Sequence, residues 1–161
     1  MAPRTWPANW EALRAGDGCP ACLQGRADED EWSVRYFAGH VSDAYLMRQP
    51  PQPGYTVVMF RGRHVADPTD MDAAELVAWW ADLRVAARAI TAVYSPCHLN
   101  YQLFGNAVPH VHAHVIPRYL DDPAPQRPLP DSIWAAAVEL PADQLAAQVA
   151  ALRHACGQTA T

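Results

Sequence analysis

The chain has 161 residues, half of them hydrophobic, which suits a single domain with a sizeable core. Its 12 basic residues are all arginine, which excludes a Schiff-base lysine, a pyridoxal-phosphate anchor and a P-loop lysine. A net charge of -5 argues against a nucleic-acid or anionic-membrane surface. Residues 1–10 contain no apolar leader run, and no stretch approaches a membrane-spanning length. Four cysteines are too few for a disulfide framework at this size, so a soluble cytoplasmic protein is expected.

In chain order, a short helix is predicted over 9–14, ended by Gly16-Asp17-Gly18. The acidic run 28–31 reads as a solvated turn before a strand over 32–37. A second strand follows over 43–49 and, past the proline-rich 49–54, a third over 55–60. The strongest helix runs over 70–94. Thr69 and Asp72 give a capping pattern, and Leu76, Trp80, Leu83, Ala87, Ile90 and Tyr94 form one apolar face. Ser95-Pro96 stops it. Residues 97–104 alternate Leu99, Tyr101 and Leu103 against His98, Asn100 and Gln102. A Gly105-Asn106 turn leads into 109–117, where Val111, Ala113 and Val115 alternate with His110, His112 and His114. A last helix begins near Pro141 with Leu145, Val149 and Leu152 inward. Helices segregated from an antiparallel sheet predict an α+β fold.

The histidine strand carries the functional signal. A period of two places three imidazoles on one strand face, successive ones roughly 6.5 to 7 Å apart. Their apolar neighbours already build the core face, so these histidines serve no packing purpose. The pattern allows nucleophilic catalysis by imidazole, or a metal held by all three histidines. Cys19-Pro20-Ala21-Cys22 is a second signal. The polar, glycine-broken and acidic 23–31 does not continue it as a thioredoxin-like helix. Two unpaired structural cysteines, or half of a zinc site, remain.

Asn100-Tyr101-Gln102-Leu103-Phe104-Gly105-Asn106-Ala107-Val108-Pro109, then the three histidines and Ile116-Pro117-Arg118, resembles the histidine-triad (HIT) family. Its signature His-φ-His-φ-His-φ-φ, with φ apolar, is matched at all seven positions. Gln52-Pro53-Gly54-Tyr55-Thr56-Val57-Val58 and Arg63-His64-Val65 extend the likeness upstream, and the order of elements agrees over about 19–134. The resemblance implies one HIT-like domain: a five-stranded antiparallel sheet with a long helix, core about 19–120, and a C-terminal extension and helix over 121–161. It further implies a homodimer that binds nucleotides and attacks the α-phosphorus with His112. His114, the backbone amides of Gly105 to Ala107 and the side chains of Asn100 and Asn106 would meet phosphate oxygens. Family transferases such as galactose-1-phosphate uridylyltransferase carry glutamine at the place of His114, so hydrolysis is the expected outcome. A nucleotidyl transferase and a non-catalytic nucleotide-binding protein are the rivals. The positions of Cys19, Cys22, His64 and His110 match those of a structural zinc site in some members.

Two departures stand out. Ala107 replaces a frequent serine or threonine. Met47 stands where many members carry a ribose-binding aspartate, Asp43 lying too early, and the adjacent Arg48 is the expected contact for an anionic substrate group. His40, His98 and His154 have no motif context. Arg127-Pro128-Leu129-Pro130 and Ile133-Trp134 are expected either to wrap the pocket rim or to pack a core or dimer face.

Overall fold

The computed structural model describes residues 5–158, so the first four residues read for a leader lie outside the described chain. Two short helices, α1 (Trp10–Arg14) and α2 (Pro20–Gln24), precede the strands β1 (Ser33–Ala38), β2 (Ser42–Met47) and β3 (Thr56–Phe60). A 3-10 turn at Pro68–Asp70 leads into the long helix α3 (Ala73–Tyr94), then β4 (His98–Gln102) and β5 (His112–Arg118). The helices α4 (Asp131–Ala135) and α5 (Ala142–Ala155) complete the order. The strands form one five-stranded sheet, β1-β2-β3-β5-β4, with every neighbouring pair antiparallel. This is the expected HIT-like α+β architecture. Among the described residues, no helix is long and apolar enough to cross a membrane.

Helix α3 begins later than the composition suggests. Asp72 is its N-cap: its side chain accepts from the Glu75 amide, and Glu75 accepts from the Asp72 amide, a complete capping box. Thr69 belongs instead to the preceding turn, where Asp67 caps it. The buried stripe is also rotated from the expected one. Trp79, Leu83, Ala86 and Ile90 face the core, while Leu76 and Trp80 are exposed. Both faces carry large apolar residues, so periodicity alone could not select between them.

One side of the sheet packs on α3 and α5. Tyr36, Ala44, Leu46, Val58, Ala113 and Val115 meet Trp79, Leu83, Ile90, Leu145, Val149 and Leu152 there. The last three are the inward residues expected of the C-terminal helix. The other side bears a smaller cluster, Tyr55, Ile116 and Leu129, with Met47, Val57, Ile133 and Trp134 packed around it. Period-two alternation thus sends Val111, Ala113 and Val115 inward and leaves His112 and His114 on the second side.

Candidate functional site

Cross-strand register places the functional face. His112 lies opposite Met59, which pairs with Asp43; His114 lies between Val57 and Gln102. The His112 and His114 rings meet edge to face, 4.9 Å between centroids. His112 Nδ1 is 2.7 Å from the backbone carbonyl of His110. A carbonyl only accepts, so Nδ1 carries the ring proton and Nε2 keeps its lone pair. Burial lowers the pKa of His112, opposed by the hydrogen bond to His110. Burial and the adjacent His112 lower His114 to about 4. A neutral imidazole with a bare nitrogen is a competent nucleophile.

The loop between β4 and β5 borders His112. A cavity of about 40 Å³ beside it is lined by Ala66, Asp67, Pro68, Phe104, Gly105 and His110, among others. Gly105 adopts φ +62°, a conformation that disfavours side chains. Asn106 and Ala107 are exposed on the same loop. The Phe104 ring lies 6.3 Å from that of His114.

His110 does not share this environment. It is 2 % exposed and turned toward Cys19 and Cys22, whose sulfurs lie 3.6 and 3.5 Å from its Nδ1. His64 Nδ1 lies 3.5 Å from the Cys22 sulfur. The four ligand atoms all fall within 4.8 Å of one another, and the group could hold a metal ion. A tetrahedral zinc with bonds of about 2.0 to 2.3 Å places its ligands roughly 3.4 to 3.8 Å apart, so the donor set fits with slight contraction. Outer partners fit too. His110 Nε2–H donates to the Phe60 carbonyl at 2.8 Å and His64 Nε2–H to the Arg14 carbonyl at 3.0 Å, which aims both Nδ1 lone pairs at the thiols. Burial, then the hydrogen bond its S–H gives to Cys19, pushes the Cys22 thiol up to about 11, and a cation between the sulfurs would let both ionise.

A buried ionic brace holds this cluster on the sheet. Asp43 is fully buried and receives Arg26 Nη2 at 2.6 Å and Arg61 Nε at 3.2 Å, with Arg35 Nη1 at 3.6 Å. Arg61 also donates to the Ala21 carbonyl (2.9 Å), Gln24 Oε1 (3.2 Å) and the Tyr45 hydroxyl (2.8 Å). Helix α2, which is preceded by Cys19 at its N-cap and contains Cys22, is thereby tied to β2 and the end of β3.

The predicted site residues separate into groups. Cys19, Cys22, His64 and His110 converge; His112 and His114 lie on the second face with Gly105 beside His112, while Asn106 and Ala107 are exposed further along the same loop. Asn100 shares β4 with Gln102, but its Oδ1 is taken by Arg118 Nη1 at 2.6 Å. Arg48 is not brought to the histidines. It pairs with Glu29 at 2.7 Å and lines a groove against α5, because the chain turns away after Met47. Met47 packs in the apolar cluster around Tyr55, and the arginines that surround Asp43 occupy its carboxylate. Sequence reasoning missed Tyr55. Its hydroxyl is 2.5 Å from His114 Nδ1, and Trp134 packs edge-on against its ring at 5.1 Å. The only signal was its place directly after Pro53-Gly54.

Comparison with known proteins agrees with the fold. The HIT domain family matches residues 33–121. A histidine triad protein from Bradyrhizobium japonicum is 21% identical, with TM-score 0.68, covering 78% of this chain and 92% of its own. One from Marinobacter aquaeolei is 21% identical with TM-score 0.67, covering 80% and 91%. A zinc-bound histidine triad family protein from Mycobacterium smegmatis is 22% identical with TM-score 0.57, covering 91% and 90%. No curated protein matches in sequence. With the family matched over more than half its length and the three histidines in place, the chain belongs to the HIT domain family.

Proposed function

We infer that this protein is a nucleotide hydrolase that cleaves at the α-phosphorus of a nucleoside phosphate anhydride, ester or phosphoramidate. Proteins of this family generally bind nucleotides and act on them. The observation that carries the reading is the bare Nε2 of His112, fixed by the hydrogen bond from Nδ1–H to the His110 carbonyl. In the first step the Nε2 lone pair forms an N–P bond while the bond from phosphorus to the leaving group breaks. The leaving group departs with that electron pair and, where basic, takes a proton from water. In the second step water oxygen bonds to phosphorus, the N–P pair returns to Nε2, and the water proton passes to solvent. Oxygens on phosphorus would meet His114, the amides of Gly105 to Ala107 and the side chains of Asn100 and Asn106.

Cys19, Cys22, His64 and His110 would hold a structural zinc ion, which supplies cross-linking of α2 to the start of the histidine strand. All four positions are filled by protein, so no ligand site remains for substrate. A homodimer is supported by apolar side chains left exposed on α3 (Leu76, Val77, Trp80) and on the edge strand β4 (Tyr101). The absence of a membrane-crossing helix among the described residues suits a cytoplasmic enzyme.

The test is an activity panel of adenosine phosphoramidates, dinucleoside polyphosphates and sugar nucleotides, run with His112→Asn as control. Turnover of at least one class by the natural chain and none by the variant is expected. Equal turnover by both would overturn the reading, and preferential transfer to an added phosphate acceptor would assign a transferase.

A further inference from the structure

Tyr55 opens the run into β3 and is 5 % exposed. Its ring lies parallel to that of His114, 6.0 Å between centroids and 6° between planes. Gly54 before it adopts φ +81°, and a Cβ there would sit 2.7 Å from the Tyr94 ring, so the backbone leading into Tyr55 is tightly fixed. Behind Tyr55, Trp134 and Leu129 close the cluster from the C-terminal segment.

The hydroxyl has one hydrogen-bond partner among the described residues, His114 Nδ1 at 2.5 Å. A buried O–H that donates to nothing costs free energy, so this phenol must donate to that nitrogen. Burial also raises the phenol pKa and keeps the proton in place. A nitrogen that accepts is bare, which puts the ring proton of neutral His114 on Nε2. His112 has the reverse arrangement, with Nδ1–H given to the His110 carbonyl and Nε2 bare.

We propose that Tyr55 is a positioning residue that locks His114 in its Nε2–H tautomer, so that the face offers one nucleophilic nitrogen beside one N–H donor. This rests on the reading of His112 as nucleophile. In the other tautomer both imidazoles would turn lone pairs toward the phosphoryl oxygens, and the charge developing there would lose a fixed donor. The lock acts through His114 and leaves Tyr55 without contact to the reacting atoms. Because Trp134 packs against Tyr55, the C-terminal segment takes part in setting that tautomer.

Tyr55→Phe removes the hydroxyl and keeps the ring packing. Nitrogen NMR of histidine-labelled full-length protein reads the His114 tautomer directly. The expected result is Nε2–H in the natural chain and a substantial Nδ1–H population in Tyr55→Phe. On an adenosine phosphoramidate, kcat should fall about tenfold with KM within about twofold, since the donor is lost mainly in the transition state. An unchanged His114 tautomer in the variant overturns the proposal, whatever happens to thermal stability. So does a shifted tautomer with unchanged kcat. Failure of the nucleophile reading is distinguished by His112→Asn, which would then retain turnover while the NMR result in Tyr55→Phe stood on its own.

Discussion

Two pairs of histidines, His64 with His110 and His112 with His114, lie close together in the fold and are turned to different surroundings. His64 and His110 give Nε2–H to backbone carbonyls and point bare Nδ1 atoms at two cysteines. His112 gives Nδ1–H to a backbone carbonyl and keeps Nε2 bare, while His114 accepts at Nδ1 from Tyr55. The residue type is the same throughout. The hydrogen bond made by the other nitrogen decides whether an imidazole becomes a ligand, a nucleophile or a donor. The carbonyl of His110 joins the two regions, since the residue faces Cys19 and Cys22 with its ring and His112 with its backbone.

That division can be broken from either side. The largest effect is expected for His112→Asn, which should lower kcat on the substrate class found by at least about a thousandfold, with the thermal midpoint nearly unchanged. Single-turnover kinetics and calorimetry check the two halves. Cys22→Ser should do the reverse: metal content measured by atomic emission falls, and the midpoint drops by about 10 °C. Equal midpoints for Cys22→Ser and the natural chain would argue against a structural metal.

Asp43→Asn probes the brace behind the cluster. The amide oxygen can still accept from Arg26, but an NH2 then faces the Arg61 guanidinium and the charge the arginines surround is gone, so about 2 kcal/mol of stability should be lost in urea unfolding. Metal affinity in chelator competition should weaken about tenfold, as expected for a partner that orients ligands from outside.

A further effect concerns pH. His114 titrates at about 4 when folded against an ordinary 6.5, so between these values the unfolded chain binds a proton that the folded chain refuses. Stability therefore falls as pH drops from 6.5 toward 4 and levels off below, where both forms are protonated. Urea midpoints across this window should fall less steeply in His114→Gln. The smallest effect belongs to Arg48→Ala. Its exposed partner Glu29 and its place against α5 point to under about 1 kcal/mol of stability and unchanged substrate selectivity.

Much of this was legible along the chain. Alternation over 97–104 and 109–117 fixed which side chains of the histidine strand enter the core, because a strand offers only two faces. The long helix, its stop at Ser95, the inward face of the last helix and the Cys-x-x-Cys with two later histidines were readable from spacing and resemblance. Periodicity did not separate Trp79 from Trp80, since α3 is apolar on both sides and burial depends on which side the sheet approaches. Proximity in sequence suggested Arg48 as a substrate contact, but a single step past the end of β2 carries it toward α5.

What the sequence determined by itself was the inventory: arginine without lysine, three histidines at period two, two cysteines at metal-ligand spacing, and the family those residues announce. What the tertiary structure decided was the assignment of protons. The carbonyls of Arg14, Phe60 and His110 and the hydroxyl of Tyr55 reach their imidazoles across 50, 50, 2 and 59 positions of chain. Such partners are set by folding, and an imidazole's chemistry depends on which of its two nitrogens they leave free.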